Sequence, residues 1–531
     1  MTPDRSYPPH EAVAGTRGVA SSAHPYATQA AIAVLAKGGS AVDAAIAAGA
    51  VLTVVSPWAG QLGGDCFFQV SEADGSLGAV NGSGAAPAAA TLEHYQNVGE
   101  IPSSGWLASS VPGMVDGWRV AHARWGKLAW SALFEAATRY ADEGIVITPS
   151  INERITGQAE LWARFPATAS IFLSGGTAPP VGAILRQPDL AETFRAIAGE
   201  GPQAFYQGEI ARRIAEESAR DGGLFAYDDL AGHTTPEPEP LRLDYRGTTI
   251  TVQAPVTQGI IVLMALGALG EHDLATAGPL SADKVHLQVE AIKQGFADRI
   301  SHLGDPAFVD VPVDELLSAE ANRGRARAIN PARRSAILSG VPAHADTTSL
   351  VTADGDGQVV AYIHSLYAGS GVVVPGTGIM MNNRLMGFSL EPDSPNVIEP
   401  GKRPVHTLNT VMVHRPGEVY AICTPGANLQ VQHNLQVVTN LLDFEMEMQA
   451  AVDAPRWSMG DQMTIGDDIL HIEDRFGEVT IDGLRERGHQ VDVSQAWAIG
   501  GGIQVARADR DGGTVWATRD PRRASNLAAA L

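Results

Sequence analysis

The strongest candidates for catalytic residues are Asp346, Thr347 and Thr348. They lie where a poorly periodic loop, residues 336–346, meets a predicted strand, Thr347–Ala353. A threonine hydroxyl becomes a nucleophile only beside a base, and one available base is the residue's own α-amino group. An internal threonine acquires that amine only if the chain is cut just before it, and a loop-to-strand junction suits such a cut. The alternative is structural, because β-branched residues favour strands. These residues alone leave both interpretations open.

Other common catalytic signatures are absent from the sequence. It contains no G-x-x-x-x-G-K-[ST] phosphate loop, no H-E-x-x-H zinc motif and no G-x-S-x-G nucleophile elbow. The fifteen histidines show no paired ligand spacing on a predicted helix. The two cysteines, Cys66 and Cys423, are too few for a disulfide framework or a cysteine metal cage, and we interpret each as a small buried apolar residue. We therefore expect neither a metal nor a cofactor.

Composition narrows the class of protein. The chain has 531 residues, of which 45% are hydrophobic and 18% charged, enough apolar material for a large core. Acidic residues outnumber basic ones by 59 to 37, which argues against a broadly basic nucleic-acid surface. The most apolar run, Ala44–Val55, is too short to span a bilayer, and the first residues show no apolar signal region. We expect a soluble, cytoplasmic protein with neither a nucleic-acid nor a membrane partner.

The predicted elements that must position the threonine change in type along the chain. Helices dominate before the junction, and strands dominate after it, with a hairpin turn at Asp354-Gly355-Asp356-Gly357. Helices on a mostly antiparallel sheet indicate an α+β or layered αββα architecture. The clearest predictions are helices Tyr26–Lys37, Ala41–Val51, Ala211–Arg220, Ser281–Ser301 and Gln430–Leu442, and strands Cys66–Val70, Leu241–Val252, Thr347–Ala353, Gln358–Leu366, Thr410–His414 and Val419–Cys423.

Many short segments carry a family resemblance that no single one would support. They include Gly38-Gly39-Ser40-Ala41-Val42-Asp43, Gly63-Gly64-Asp65, Val111-Pro112-Gly113, Asp244-Tyr245-Arg246-Gly247, Ala297-Asp298-Arg299, Leu303-Gly304-Asp305-Pro306, Thr347-Thr348, Gly376-Thr377-Gly378-Ile379, Asn382-Asn383, Lys402-Arg403-Pro404, Pro425-Gly426, Asp453-Ala454-Pro455-Arg456 and Asp520-Pro521-Arg522. Together and in this order, over about residues 17–526, they resemble the γ-glutamyltranspeptidase family of N-terminal-nucleophile hydrolases.

The resemblance implies a four-layer αββα sandwich and a precursor that cuts itself. The cut would fall between Asp346 and Thr347, giving a large subunit, residues 1–346, and a small subunit, residues 347–531. The two would remain one interleaved unit, a heterodimer, and whether it pairs with a second copy is left open by the resemblance. Thr347 would be the nucleophile, and its freed amine the general base.

The resemblance also implies the groups around the nucleophile. The oxyanion donors would be backbone N–H groups at Gly426 and Ala427, where alanine replaces the second glycine of the family's Pro-Gly-Gly turn. Ser365 occupies the position of a hydroxyl that supports the nucleophile. Its alternative interpretation is an ordinary strand serine.

The acyl pocket departs from the pattern of the glutathione-cleaving members. Ser83 stands where they have an arginine for the substrate α-carboxylate, and Gly387 replaces the aspartate that receives the α-amino group. The other substrate-binding positions are changed as well: Tyr367 replaces an asparagine, Arg384 a glutamine, and His406 and Thr407 a pair of serines.

These changes favour a different acyl group. Loss of the aspartate at Gly387 removes the anion that would pair with a substrate ammonium, and a guanidinium at Arg384 would suit a carboxylate. We therefore expect a small-molecule amide whose acyl group carries a carboxylate but no α-amino group, of the oxamate or glutaryl type. The sequence looks closest to the amidohydrolase and cephalosporin-acylase-like branch.

Three alternatives stay open. Arg384 could be a structural ion-pair partner rather than a substrate contact. The chain could be a true γ-glutamyl enzyme that has rebuilt its α-amino and α-carboxylate contacts elsewhere. It could also be an uncleaved, inactive binding protein on the same fold, although Thr347 and the Pro425-Gly426 turn are both retained.

Self-processing has a direct test. The purified protein is expected to run as two bands on a denaturing gel, corresponding to residues 1–346 and 347–531. Thr347→Ala should give one uncut, inactive chain, whereas Thr347→Ser keeps a hydroxyl and should still be cut. Cleavage of the Thr347→Ala variant at the same bond would remove Thr347 from this role.

Overall fold

The computed structural model describes residues 10–336, 341–342, 346–460, 464–465 and 469–531. Its helices are α1 (Pro25–Ala36), α2 (Ala41–Val55), α3 (Leu92–Val98), α4 (Met114–Trp125), α5 (Glu135–Glu143), α6 (Pro149–Ala163), α7 (Pro166–Phe172), α8 (Pro188–Glu200), α9 (Gln203–Tyr206), α10 (Glu209–Arg220), α11 (Tyr227–Ala231), α12 (Ile260–Leu269), α13 (Leu274–Ala277), α14 (Ala282–His302), α15 (Val313–Leu316), α16 (Ala319–Ala328), α17 (Leu429–Leu442), α18 (Met448–Asp453) and α19 (Glu478–Glu486).

The strands are distributed along the whole described chain. They are β1 (Val13–Gly15), β2 (Gly18–Ser22), β3 (Asp65–Ser71), β4 (Leu77–Gly82), β5 (Ile145–Val146), β6 (Ile184–Leu185), β7 (Leu241–Tyr245), β8 (Thr248–Val252), β9 (Val341–Pro342), β10 (Asp346–Asp354), β11 (Val359–Tyr367), β12 (Val373–Val374), β13 (Ile379–Met380), β14 (Thr410–Arg415), β15 (Glu418–Cys423), β16 (Trp457–Met459), β17 (Thr464–Ile465), β18 (Ile469–Glu473), β19 (Gln490–Ser494), β20 (Gln504–Asp509), β21 (Thr514–Ala517) and β22 (Leu527–Ala530).

Two large antiparallel sheets form the centre of the molecule. One has the strand order β22-β2-β10-β11-β3-β4, and the other has the order β1-β21-β20-β15-β14-β8-β7. Small apolar side chains such as Ala353, Ala361, Ala421 and Ala506 fill the space between the sheets and let them pack closely. A face of apolar residues on both sides of each sheet requires a further layer outside it.

Helices cover both outer faces and complete four layers. The first sheet packs against α1, α2 and α4, with α5 packed on α2, and the second packs against α12 and α17, with α14 packed on α12. Helices α2 and α12 are apolar on nearly every side, because each is enclosed between the sheet and further helices. This arrangement confirms the predicted αββα sandwich.

Both sheets contain strands from before and from after residue 346. Strand β10 lies between β2 and β11, and β11 pairs in turn with β3. In the second sheet β1 pairs with β21, and β8 pairs with β14. The two halves of the chain therefore form one hydrogen-bonded body.

One predicted strand is wrong. Leu241–Val252 was expected as a single alternating strand, but it forms the hairpin β7–β8. Its turn has left-handed backbone at Arg246 (φ 56°) and Gly247 (φ 73°), which reverses the chain. Arg246 is held there by Asp443 and by the carbonyl oxygens of Gly270 and His272. Those contacts come from distant segments, so local alternation alone could not reveal the turn.

Within the described ranges, no helix is both long and apolar enough to cross a membrane.

Helix α2 anchors the hairpin that carries Thr347. Its first amide, that of Ala41, donates to Asp354 at 3.0 Å, and the hydroxyl of Thr352 donates to the carbonyl of Ala41 at 2.7 Å. The helix begins with a capping box, since Asp43 accepts from the amide of Ser40 and Ser40 accepts from that of Asp43, each at 3.0 Å. Asp43 also accepts from the amides of Lys127 and Leu128, at 2.8 and 3.0 Å.

Asp43→Ala should therefore destabilise the protein. Three backbone amides would lose a buried acceptor together, so the free energy of unfolding should fall by about 3 kcal/mol. Urea unfolding at one protein concentration measures this change. The matched control is Asp482→Ala, because Asp482 is exposed and pairs with Arg485 on its own helix, and it should shift the value by less than about 0.5 kcal/mol. Equal effects from the two variants would contradict the capping argument.

Candidate active site

Thr347 lies at a break in the pairing of β10 with β11. Asp346 pairs with Tyr367 and Thr348 pairs with His364, so a bulge falls between Asp346 and Thr348. Bulges bend a strand and re-aim the side chain at that point. Thr347 is 3% exposed, and its hydroxyl has no hydrogen-bond partner among the residues the structure describes. A buried hydroxyl without a partner is unusual and is typical of a reactive position.

The opposite strand ends in strained backbone. Tyr367 has φ 70°, a conformation that non-glycine residues rarely adopt. Its amide donates to the Ser365 hydroxyl at 2.7 Å, and the next amide, that of Ala368, donates to Asn383 at 2.8 Å. Ser365 is fully buried and in register with Asp65. In this structure the Ser365 hydroxyl supports the turn that places the Tyr367 ring.

The predicted oxyanion turn connects β15 to α17. Gly426 has φ 127° and Ala427 has φ 50°, so both residues adopt positive φ. Neither backbone amide has an acceptor within the described ranges. The turn lies at the N-terminus of α17, a 14-residue helix whose dipole favours negative charge there. Two unpartnered amides at a helix N-terminus can stabilise an oxyanion.

A cross-sheet hydrogen bond brings this turn towards β10. Ser349, two residues after Thr347, donates to Gln504 at 2.6 Å. Gln504 in turn pairs with Cys423, the last residue of β15 before the turn. Tyr367 and Ala427 also contact each other in a small apolar cluster with Met386. The threonine, the strained tyrosine and the unpartnered amides thus belong to one neighbourhood.

A cleft opens beside this neighbourhood, with a volume of about 310 Å3. Of the predicted substrate-binding positions, Tyr367 and Thr407 line it, as does Gly387. The hydroxyl of Thr407 has no partner in the described part of the chain. Arg299 is the charged residue of this lining. The remaining lining residues are apolar or neutral: Ile300, Leu303, Met386, Phe388, Ser389, Ser394, Asn396 and Val405.

Arg384 lies behind the cleft wall and is fully buried. Its Nε donates to Asp65 at 3.1 Å, and its guanidinium stacks on the ring of Tyr367 at 4.6 Å. Its two terminal nitrogens have no acceptor among the described residues. Arg384 thus makes the structural ion pair that the sequence left open, and contact with a substrate stays a prediction.

Asp65 is the anion of this buried cluster. Burial raises the pKa of its carboxyl to about 6, although Arg384 and the amide of Gly84 oppose the rise. His406 places its Nε2 3.5 Å from the same carboxylate and packs edge-on against Phe67. Burial lowers the pKa of His406 well below its usual value, as do the charges of Arg384 and Arg403, so the ring is neutral at pH 7.

Ser83 is also turned away from the cleft. Its hydroxyl and amide both donate to Asn81, at 2.5 and 3.1 Å, and its carbonyl accepts from Arg403 at 3.2 Å. Ser83 is fully buried. The structure therefore brings Tyr367 and Thr407 into the cleft and leaves Ser83, Arg384 and His406 in the layer behind it.

Sequence reasoning assigned no role to two residues that shape the site. Asp65 and Arg299 both lay in segments that carried the family resemblance, Gly63-Gly64-Asp65 and Ala297-Asp298-Arg299. Their partners, Arg384 for Asp65 and Gln258 for Arg299, are far away in sequence. The sequence did show that each is a charged residue within a family motif. It could not show which residue each one contacts, because that contact does not depend on sequence spacing.

Within the described ranges, one group of potential metal ligands is present, and none of its residues lines the cleft. His286, Glu290 and His489 are buried, with ligand atoms within 4.8 Å of one another. The two imidazoles share a hydrogen bond of 2.8 Å, and Glu290 is paired with Lys293 at 2.9 Å. These partners already satisfy the ligand atoms, and Lys293 places positive charge where a cation would bind. We assign no metal to this group.

Sequence comparison decides the family. A model described as gamma-glutamyltranspeptidase matches residues 27–530. The chain belongs to the γ-glutamyltranspeptidase family. This confirms the resemblance, and membership makes the protein an enzyme that acts on C–N amide bonds.

Similar proteins lie mainly in the hydrolytic part of this family. The chain is 36% identical to an oxamate amidohydrolase proenzyme from Klebsiella pneumoniae subsp. pneumoniae, covering 98% of this chain and 99% of that one. It is 35% identical to an acylase proenzyme from a Pseudomonas species, covering 94% and 91% respectively. A crystal structure of cephalosporin acylase from Bacillus halodurans superposes with a TM-score of 0.92 at 32% identity, covering 100% of this chain and 99% of that one.

The Asp65–Arg384 pair should be costly to break from one side. Asp65→Asn keeps an acceptor for Gly84 but leaves the guanidinium without an anion, and should lower the free energy of unfolding by about 3–5 kcal/mol. Adding Arg384→Met removes the stranded charge and should recover at least half of that loss. A urea double-mutant cycle measures both effects.

An exposed ion pair supplies the control. Asp142 contacts Arg195 at 2.5 Å with both side chains largely in solvent, and Asp142→Asn should cost less than about 1 kcal/mol. If Asp65→Asn is as mild as Asp142→Asn, the buried pair does not hold the wall of the cleft as described.

Proposed function

We propose that this chain is a self-processing amide hydrolase whose substrates carry a carboxylate on the acyl group and lack an α-amino group. The observation that carries the proposal is the cleft lined by Tyr367 and Thr407. Within the described residues, its lining includes a guanidinium and no carboxylate. Such a lining favours an anionic acyl group and offers nothing to pair with an ammonium. Oxamate-type and glutaryl-type amides fit this description.

Processing would begin at the bond before Thr347. The Thr347 hydroxyl attacks the carbonyl carbon of Asp346, the C–N bond breaks, and the acyl group passes from nitrogen to oxygen as an ester. Water then hydrolyses the ester, leaving a carboxylate on Asp346 and a free amine on Thr347. The bulge between Asp346 and Thr348 supports this step, because it takes the bond out of regular strand pairing.

Catalysis would use the same hydroxyl with the new amine as base. The amine accepts the hydroxyl proton as Thr347 attacks the substrate amide, and returns it to the leaving nitrogen when the C–N bond breaks. The acyl-enzyme ester is then hydrolysed, which releases the acid and restores the hydroxyl. The large and small subunits would stay together throughout, since their strands are paired in both sheets.

The turn at Gly426 and Ala427 would stabilise the tetrahedral intermediate. Its two amides have no acceptor in the described ranges and lie at the start of α17. Donors held in place in this way cost little reorganisation when the oxyanion forms. Tyr367 packs against Ala427 and would close one side of the acyl site.

The substrate class can be tested with two anilides that differ only in an α-amino group. The wild-type enzyme should hydrolyse glutaryl anilide with a kcat/KM at least about 10-fold above that for γ-glutamyl anilide, because no anion in the described lining stabilises the ammonium. Gly387→Asp should narrow this ratio about 10-fold by restoring a carboxylate. The atoms nearest to an added Cβ are the carbonyl oxygen of Val405, at 3.2 Å, and the Cβ of Pro404, at 3.3 Å, so the neighbours must move by a few tenths of an ångström.

Gly387→Asn is the matched control, since it has the same size without the charge and should leave the ratio near that of the wild type. Equal rates on the two anilides would favour the γ-glutamyl alternative. A single intact band with no hydrolysis of either anilide would favour an inactive binding protein.

A further inference from the structure

We infer that Arg299 receives the substrate carboxylate and couples it to the oxyanion turn. The inference rests on the proposed function, which it extends by naming the cation that selects the acyl group. Arg299 lies in the last turn of α14 and lines the cleft together with Tyr367 and Thr407. Sequence analysis placed the carboxylate at Arg384 instead.

Arg299 carries a charge that no neighbouring carboxylate balances. Among the residues the structure describes, it forms no ion pair, and the adjacent Asp298 is engaged with Arg325 at 2.8 Å. Burial lowers the pKa of Arg299 to about 10, so it remains a cation at neutral pH. A carboxylate entering the cleft would supply the missing anion.

Arg384 is a weaker candidate on the same grounds. Its charge is offset by Asp65 at 3.1 Å, and its side chain is fully buried. It does not line the cleft, whereas Arg299 does. A substrate carboxylate would therefore meet Arg299 first and would not have to compete with an internal anion.

One nitrogen of Arg299 is used to brace the turn. Its Nη1 donates to Gln258 at 2.6 Å and to Asn428 at 2.8 Å. Gln258 in turn donates to the carbonyl oxygens of Thr407, at 2.9 Å, and Ala427, at 3.2 Å. Arg299 thus holds both a residue of the acyl cleft and the residue that carries a predicted oxyanion donor.

This double role predicts how the substrate charge is used. The remaining N–H groups of the guanidinium have no acceptor in the described chain, so a carboxylate can bind them while Nη1 keeps its contacts. Binding would hold the guanidinium, and through Gln258 the Ala427 carbonyl, in one position. The carboxylate should therefore raise kcat as well as lower KM.

The test compares glutaryl anilide with the same anilide in which a primary carboxamide replaces the terminal carboxylate. For the wild type, the ratio of the two kcat/KM values measures recognition of the charge. Arg299→Met should lower that ratio about 10- to 100-fold, the effect of losing a hydrogen-bonded charged contact. Arg299→Lys should recover part of it, because it keeps the charge without the forked geometry.

Gln258→Met separates recognition from bracing. It removes the contacts to Thr407 and Ala427 but no cation, so kcat should fall for both substrates by a similar factor while their ratio stays near that of the wild type. If Arg299→Met behaves in the same way, with the ratio unchanged, Arg299 is only a positioning residue and the inference fails.

A binding measurement keeps the inference independent of turnover. Glutarate, the acid product of the glutaryl substrate, should bind the wild-type protein in calorimetry, and Arg299→Met should weaken its binding at least about 10-fold. If the wild type hydrolyses neither anilide but the affinity for glutarate still depends on Arg299, the proposed function is contradicted and the inference stands. Glutarate that binds both proteins equally, or neither, overturns the inference.

Discussion

The antiparallel pairing of β10 with β11 is the constraint on which the site depends. It holds Thr347 in the middle of a buried sheet, opposite a strand that ends at Tyr367. The hairpin is fixed from the outer face by α2 and from the inner face by the hydrogen bond between Ser349 and Gln504. A single irregularity, the bulge between Asp346 and Thr348, then separates the threonine from the regular ladder.

Two residues near Thr347 have strained backbone conformations. Tyr367 and Ala427 both have positive φ and touch each other, although they come from different sheets. Residues held in such conformations cost of order 1–3 kcal/mol each and persist only where the surroundings impose them. Here the surroundings are the hydroxyl of Ser365 on one side and the side chain of Gln258 on the other. In this turn the amides of Gly426 and Ala427 have no acceptor among the residues that the structure describes.

Electrostatics divides the arginines of the site into two kinds. The charge of Arg384 is balanced by Asp65, and the pair stabilises the wall of the cleft. Among the described residues, Arg299 has only neutral hydrogen-bond partners, Gln258 and Asn428, and it lines the cleft. In a chain of net charge −22, an uncompensated buried cation is costly unless a ligand balances it. That cost is the physical reason to expect an anionic substrate.

The sequence by itself determined the fold, the family and the position of the candidate nucleophile. Periodicity and turn residues predicted α2 and the β10–β11 hairpin, because these depend on local patterns, and the ordered motifs identified the family that the comparisons confirm. Local patterns failed at β7–β8, where distant contacts hold the turn at Arg246. Only the tertiary structure distinguished the roles of Arg384 and Arg299, because the role of a guanidinium depends on whether a carboxylate lies beside it. Asp65 is 319 residues away from Arg384 in sequence, and pairing over such distances is set by packing rather than by spacing.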